Sequence, residues 1–242
     1  GRKGRPVLVF DVNGEYSDYK AVDFDIDLES DRERGMEIRK IKTPGKYRIV
    51  AFKKNRAPMT PAEMHKTVIT IAHNFKSGLL VLEDINRYML SQVNIDMVGL
   101  LIGIRHLGVD LIVHYQSMRS IPPRFWGNMN IIRLHKQSDS IDKYKGRIDN
   151  YELFKIAELI VQKKYATDVR YKLWIDMLAD KLINVDKETF SIACRQYLAM
   201  WPRVIRARMN FVDDEGNKKF SQKSDAIMTF IEEKWHLYTY SE

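Results

Sequence analysis

Two adjacent carboxylates, Glu83 and Asp84, directly follow the unbroken apolar run Leu79-Leu80-Val81-Leu82. Such a run reads as a strand buried on both faces, and the carboxyl end of a buried strand is where open α/β sheets place their ligands. Paired acids there suit phosphoryl chemistry: one can hold the water shell of Mg2+ while the other orients or deprotonates an attacking water. The plainer reading is a core strand that ends in a polar turn. A second apolar run, Leu111-Ile112-Val113-His114-Tyr115, ends in Gln116. Its amide accepts and donates at once and can sense a γ-phosphate or its attacking water. His114, inside that run, reads as strand packing and is given no role.

For these residues to meet, residues 79–82 and 109–115 must be neighbouring parallel strands with their connections on the sheet faces. The rest of the sequence provides for this. Residues 6–10 and 47–52 are two further apolar strands, and the acidic stretch of residues 23–37 reads as an exposed connection between them. Thr60-Pro61-Ala62-Glu63 is a capping box with proline at the first helical position; Met64, Val68, Ile71 and Phe75 then recur on one face. That helix stops near Ser77-Gly78, and a second one fits residues 93–107, ending at Gly108. Alternating strands and helices predict an α/β fold with a parallel sheet. Pro122-Pro123 breaks the chain, and residues 130–134 read as one more strand. Beyond it, residues 151–165, 187–200 and 225–236 read as helical and 171–177 as extended. The expected division is residues 1–137 for the sheet and 138–242 for a mostly helical C-terminal part. Residues 204–211 alternate apolar with polar, so as a strand they would set Arg206 and Arg208 on one face to grip phosphates, although a charge-guarded edge strand has the same pattern.

The net charge of +8 over 242 residues favours a polyanionic partner. Apolar runs fall far short of the roughly 20 residues of a membrane span, and no charged-then-apolar leader opens the sequence, so a cytoplasmic protein with no membrane contact is expected. The single cysteine, Cys194, shares a helical face with Phe190, Ala193, Tyr197 and Leu198 and reads as core. It leaves no disulfide framework or zinc cluster within the chain.

The stretch Arg105-His106-Leu107-Gly108-Val109-Asp110-Leu111-Ile112-Val113-His114-Tyr115-Gln116, followed by Ile121-Pro122 and Asn130-Ile131-Ile132-Arg133, resembles the region after the Walker B acids of HerA/FtsK superfamily ATPases. There an arginine and a Gly-Val/Ile pair precede a strand ending in Thr-Gln. The opening Val7-Leu8-Val9-Phe10-Asp11-Val12-Asn13-Gly14-Glu15-Tyr16 is similar to the HerA-type strand followed by Asp-Pro-His-Gly-Glu-Tyr. The resemblance covers roughly residues 6–136. It implies a RecA-like parallel sheet with helices on both faces, and hydrolysis of ATP with Mg2+ coupled to movement along nucleic acid, DNA foremost, in a homo-oligomeric ring. By position it implies Glu83 for the metal, Asp84 for the attacking water and Gln116 as the phosphate sensor. Asp11 and Glu15 become further carboxylates on the nucleotide side. Arg105 by position, and Arg119 by its nearness to Gln116, become arginine-finger candidates, often acting across a subunit boundary. Within the superfamily, small size suits a viral or mobile-element genome-packaging ATPase, with a portal or capsid component as partner and a host cytoplasm as setting.

The sequence departs from the pattern in two ways. No G-x-x-x-x-G-K-[ST] loop occurs: Gly1-Arg2-Lys3-Gly4 and Thr43-Pro44-Gly45-Lys46 have the residue types without the spacing. In the family that loop lies one strand and one helix before the Asp11 strand, so it is expected upstream of Gly1. The acids are also inverted, Glu-Asp where the family has Asp-Glu, which leaves Asp84 one methylene shorter in reach. Two other readings therefore stay open: a docking scaffold without a phosphate loop, and a nuclease using Asp11, Glu83 and Asp84 around metal ions.

Overall fold

Five strands, β1 (Pro6–Asp11), β2 (Lys20–Ala21), β3 (Gly45–Val50), β4 (Leu79–Leu82) and β5 (Asp110–Val113), form one sheet in the order β2-β3-β1-β4-β5. Every neighbouring pair is parallel. The computed structural model describes residues 4–89 and 95–240, in two units, Gly1–Phe125 and Trp126–Glu242. Leu8, Phe10, Ile49, Leu80 and Leu82 form a fully buried face of the sheet. Flanking helices α1 (Asp31–Arg34), α2 (Met36–Arg39), α3 (Pro61–Asn74) and α4 (Ile95–Gly103) complete the unit, α3 packing beside both α2 and α4. Residues 93 and 94 of the expected second helix lie outside the described residues.

The start of α3 is the one its sequence announces: Thr60 accepts the Glu63 amide and the Glu63 carboxylate returns to the Thr60 amide, with Pro61 in the first turn. Residues 23–37 differ from the exposed connection expected. Phe24 and Ile26 are buried among the acids, and Ser30 and Glu33 form a second capping box that starts α1. Alternating charge had hidden the apolar anchors.

Gly78, between α3 and β4, is a tight contact. A Cβ there would lie 2.4 Å from Phe75 Cζ and 2.7 Å from the main-chain oxygen of Pro6. That oxygen belongs to the ladder and cannot retreat. Gly78→Ala should therefore cost about 1–3 kcal/mol, read as a lower urea midpoint at unchanged slope. Gly99→Ala, on a helix with open space around the new methyl, is the comparison of opposite sign and should gain up to about 1 kcal/mol.

In the second unit β6 (Ile131–Leu134), β7 (Leu173–Asp176) and β8 (Lys181–Ile183) form an antiparallel sheet in that order. The single turn α5 (Pro123–Trp126) lies at the division, and α6 (Tyr151–Tyr165), α7 (Lys187–Met200), α8 (Pro202–Met209) and α9 (Lys223–Tyr238) supply the helical part. The division thus falls before residues 131–134, not after residue 137, because that strand pairs with β7 and not with the parallel sheet. Residues 202–209 are helical, which overturns the expected strand: Pro202 at the helix start fixes the first turn and Ile205 is its buried anchor. Two positions apart on a helix is about 200°, so Arg206 and Arg208 do not share a face. Arg206 is exposed, whereas Arg208 pairs with Glu233 and lies against the rings of Phe220 and Phe230. No helix among the described residues is long and apolar enough to cross a membrane.

Candidate active site

The sheet register sets Phe10 beside Leu82 and Leu82 beside Val113, so Asp11, Glu83 and His114 lie at one level at the ends of the neighbouring strands β1, β4 and β5. Asp11 is fully buried. Its carboxylate accepts the backbone N–H groups of Glu15 (2.9 Å) and Tyr16 (3.2 Å) and pairs with Arg48 (3.1 Å). These bonds fold residues 12–16 back over the strand ends, with Gly14 in the left-handed region at φ +75. The fold-back delivers Tyr16, whose hydroxyl donates to Glu83 Oε1 at 2.8 Å.

Glu83 is 5% exposed, and its Oε2 is buried with no hydrogen-bond partner. Its main-chain oxygen accepts from the buried hydroxyl of Tyr88 (2.9 Å), a ring held edge-on against Phe10. Burial pushes the Glu83 carboxyl above the usual carboxylate range; the Tyr16 hydrogen bond works against this, and the charges of Glu15, Asp11 and Asp84 add to it. His114 Nδ1 comes within 3.9 Å of Glu83 Oε1.

Asp84 takes left-handed backbone angles, φ 41 and ψ 47, which an aspartate tolerates better than most residues and which turn the chain sharply off β4. Its carboxylate accepts from Asn13 Nδ2 (3.0 Å) and Gln116 Nε2 (3.1 Å), and Asn13 Oδ1 accepts from Arg87 (2.8 Å). The segments that follow β1, β4 and β5 are thereby tied into one network.

Of the residues singled out in the sequence, Asp11, Glu83, Asp84 and Gln116 meet at this edge. Glu15 is exposed at its margin, and Arg119 is exposed in the turn Met118–Ser120 that follows Gln116. Arg105 is elsewhere. It lies in the turn Ile104–Leu107 that enters β5, so it sits at the amino edge of the sheet, a strand length of roughly 13 Å from the acids. Arg206 and Arg208 belong to the second unit. Sequence reasoning assigned no contact to Tyr16, Asn13 or Arg87, and set His114 aside as strand packing. Asn13 and Tyr16 lie within the opening motif, but nothing in its spacing says that Tyr16 returns to an acid 67 residues away.

Among the described residues no group of three His, Cys, Asp or Glu side chains is placed to hold a metal ion. Asp11 is turned onto Arg48 and the 12–16 backbone, so Asp11, Glu83 and Asp84 do not form the metal cage that a nuclease would use. The residues fit an ion held chiefly by phosphate and water, with the unpartnered buried oxygen of Glu83 placed to accept from a water and not to ligate the ion.

No protein-family profile and no curated protein matches the chain. Solved structures do. The genome packaging NTPase B204 from Sulfolobus turreted icosahedral virus 2, in complex with AMPPCP, matches at 14% identity and TM-score 0.46 over 73% of this chain and 80% of that one. Its complex with AMP matches at TM-score 0.47 and 14% identity, over 73% and 80%. B204, the DNA-packaging ATPase from Sulfolobus Turreted Icosahedral Virus, matches at 12% identity and TM-score 0.40, over 74% and 95%. Likeness at this level leaves the activity to be argued from the chain's own residues.

Proposed function

We propose that the first unit is the hydrolytic part of an ATP-driven motor acting on nucleic acid, with Glu83 as the acid that meets the attacking water. The observation that carries this is the state of Glu83: buried at the carboxyl edge of a parallel sheet, raised in pKa, with one oxygen oriented by Tyr16 and the other unpartnered. A carboxylate of raised pKa is a stronger base than an ordinary one and suits proton abstraction near neutral pH. The resemblance assigns the water to Asp84. The geometry favours Asp84 as the residue that holds Gln116 and Asn13, so that Gln116 senses the γ-phosphate from a fixed position. Mg2+ bound with the nucleotide would neutralise phosphate charge. Arg119 approaches from the same edge. Arg105, on the opposite edge, can serve as a finger only from a neighbouring subunit, which is why the reading includes a homo-oligomeric ring.

The reading requires a phosphate-cradling loop contributed from outside these 242 residues. The absence of that motif within them favours a second reading, a scaffold that docks nucleic acid or protein without hydrolysis. Nucleotide hydrolysis by the complete gene product, absent from a docking scaffold, separates the two. Mg2+-dependent cleavage of DNA without nucleotide would instead support the nuclease. A packaging role in a viral setting, with DNA as cargo, extends the motor reading and is tested by DNA stimulation of ATP turnover.

Tyr16→Phe refines the site assignment. The Tyr16 hydroxyl stabilises the ionised Glu83, so its loss should raise the Glu83 pKa further and move the acid limb of the pH–rate profile to higher pH, with the alkaline plateau retained. An acid limb unmoved in the variant would detach Tyr16 from the titrating group.

A further inference from the structure

Between Glu188 and Asp213 the sequence has no acid and four arginines, Arg195, Arg203, Arg206 and Arg208. Arg195 is turned onto Met228 and Arg208 onto Glu233. Arg203 and Arg206 remain exposed, three apart on α8 and therefore on neighbouring positions of one side. The guanidinium of Arg203 lies 5.4 Å from the ring centre of Trp201, the residue that joins α7 to α8. The same indole receives Lys145 Nζ at 5.1 Å, and Lys145 also lies 4.9 Å from the Tyr151 ring. Tyr151 and Trp201 meet edge to face at 6.1 Å. Lys145 belongs to the turn Ile141–Arg147, which also carries exposed Lys143 and Arg147.

The acids of this neighbourhood are largely occupied. Asp142 pairs with the buried Lys155 and accepts from Tyr151, and Asp139 faces Lys143 at 3.5 Å. Asp149 is exposed two residues past Arg147. Lys145, Arg147, Arg203 and Arg206 make no ion pair among the described residues. Cations gathered without counter-charges repel one another, and a polyanion relieves that repulsion while releasing its own counterions. The faces of Trp201 and Tyr151 carry Lys145 and Arg203, and cations gathered in this way contact phosphates without reading bases.

We propose that Lys145 and Arg203, both on the ring of Trp201, together with the exposed Arg147 of the same turn and Arg206 of the same helix, form a nucleic-acid backbone-binding surface on the second unit. This rests on the reading that the protein handles nucleic acid, and not on ATP hydrolysis. It replaces Arg208, whose charge is already met by Glu233.

The test is binding of the intact protein to two unrelated duplex sequences across a salt series. Removing three cations in Lys145→Ala/Arg203→Ala/Arg206→Ala should lower the log–log salt slope by roughly 0.9 for each, about three units in all, equally on both duplexes. Lys145→Arg/Arg203→Lys/Arg206→Lys keeps the charges and should keep the slope, which separates loss of contact from loss of fold. Lys218→Ala/Lys219→Ala, in an exposed turn of the same unit, should leave it unchanged. An unchanged slope in the triple alanine variant overturns the proposal. So does preferential, patch-dependent binding of the parent to phosphatidylserine vesicles, which would make the surface a membrane contact. Binding through the patch by a protein that hydrolyses no ATP overturns the motor reading alone; hydrolysis with DNA held elsewhere overturns this proposal alone.

Discussion

Replacing Glu83 by glutamine is expected to lower ATP turnover by about 100- to 10,000-fold, the range a positioned general base contributes, while nucleotide binding persists. Glutamine keeps the shape and can still accept from Tyr16 (2.8 Å in the parent), but it cannot take a proton. Single-turnover hydrolysis by the complete protein measures this, and a parental rate would remove Glu83 from the chemistry. Stability supplies an independent readout with the opposite sign. Because burial raises the Glu83 pKa in the folded state, the native protein binds that proton more tightly than the unfolded chain does. Parent stability therefore falls as pH rises from the ordinary carboxylate range through the raised folded value, and stays lower above it. The glutamine variant lacks this decline, so its thermal midpoint should gain on the parent across that window.

The largest loss of stability is expected from Lys155→Ala. Lys155 and Glu158, with side chains only 4% and 9% exposed, meet at 2.6 Å, and Lys155 also reaches Asp142 at 2.9 Å. Glu158 Oε1 accepts the Ile141 N–H at 2.9 Å, so the group fixes the start of the basic turn as well as α6. Burial works to lower the Lys155 pKa, but hydrogen bonds and charge from Glu158 and Asp142 prevail and raise it, so the lysine stays charged. Removing it strands Glu158 as a buried, unmatched carboxylate, at a cost of about 3–5 kcal/mol. Lys155→Met/Glu158→Gln removes both charges and keeps an acceptor for Ile141, and should recover most of that loss. Urea unfolding of the three proteins decides it. A loss below about 1 kcal/mol for Lys155→Ala would put the pair in the class of solvent-screened surface bridges.

How far the sequence foretells these features depends on where the information lies. The Thr60–Glu63 cap and the limits of α6 and α7 were legible because caps and helical periodicity are local. That Glu83, Asp84 and Gln116 would lie together is legible because strand ends in a parallel sheet share one edge. Residues 131–134 announce a strand but not its partner: four apolar-rich residues do not say which sheet will pair with them. At residues 204–211 the alternation around Arg206 and Arg208 was real, yet Pro202 had already committed the chain to a helix. Tyr16 on Glu83 and Lys145 on Trp201 were out of reach, since only the fold brings such distant residues together.

Among the described strands, the order β2-β3-β1-β4-β5 puts the one that comes first in sequence at the middle of the sheet. Its partners come much later in the chain, Pro6 pairing with Gly45 and Val7 with Leu79. During synthesis β1 thus emerges with both hydrogen-bonding edges open and its apolar residues uncovered, and it cannot be closed in on both sides until β4 has followed. Loop-closure entropy makes such long-range parallel pairing slow. An unpaired apolar strand in the meantime is a template for other chains. The consequence is a kinetic one: yield on refolding should fall as protein concentration rises, with β1 as the segment through which chains associate.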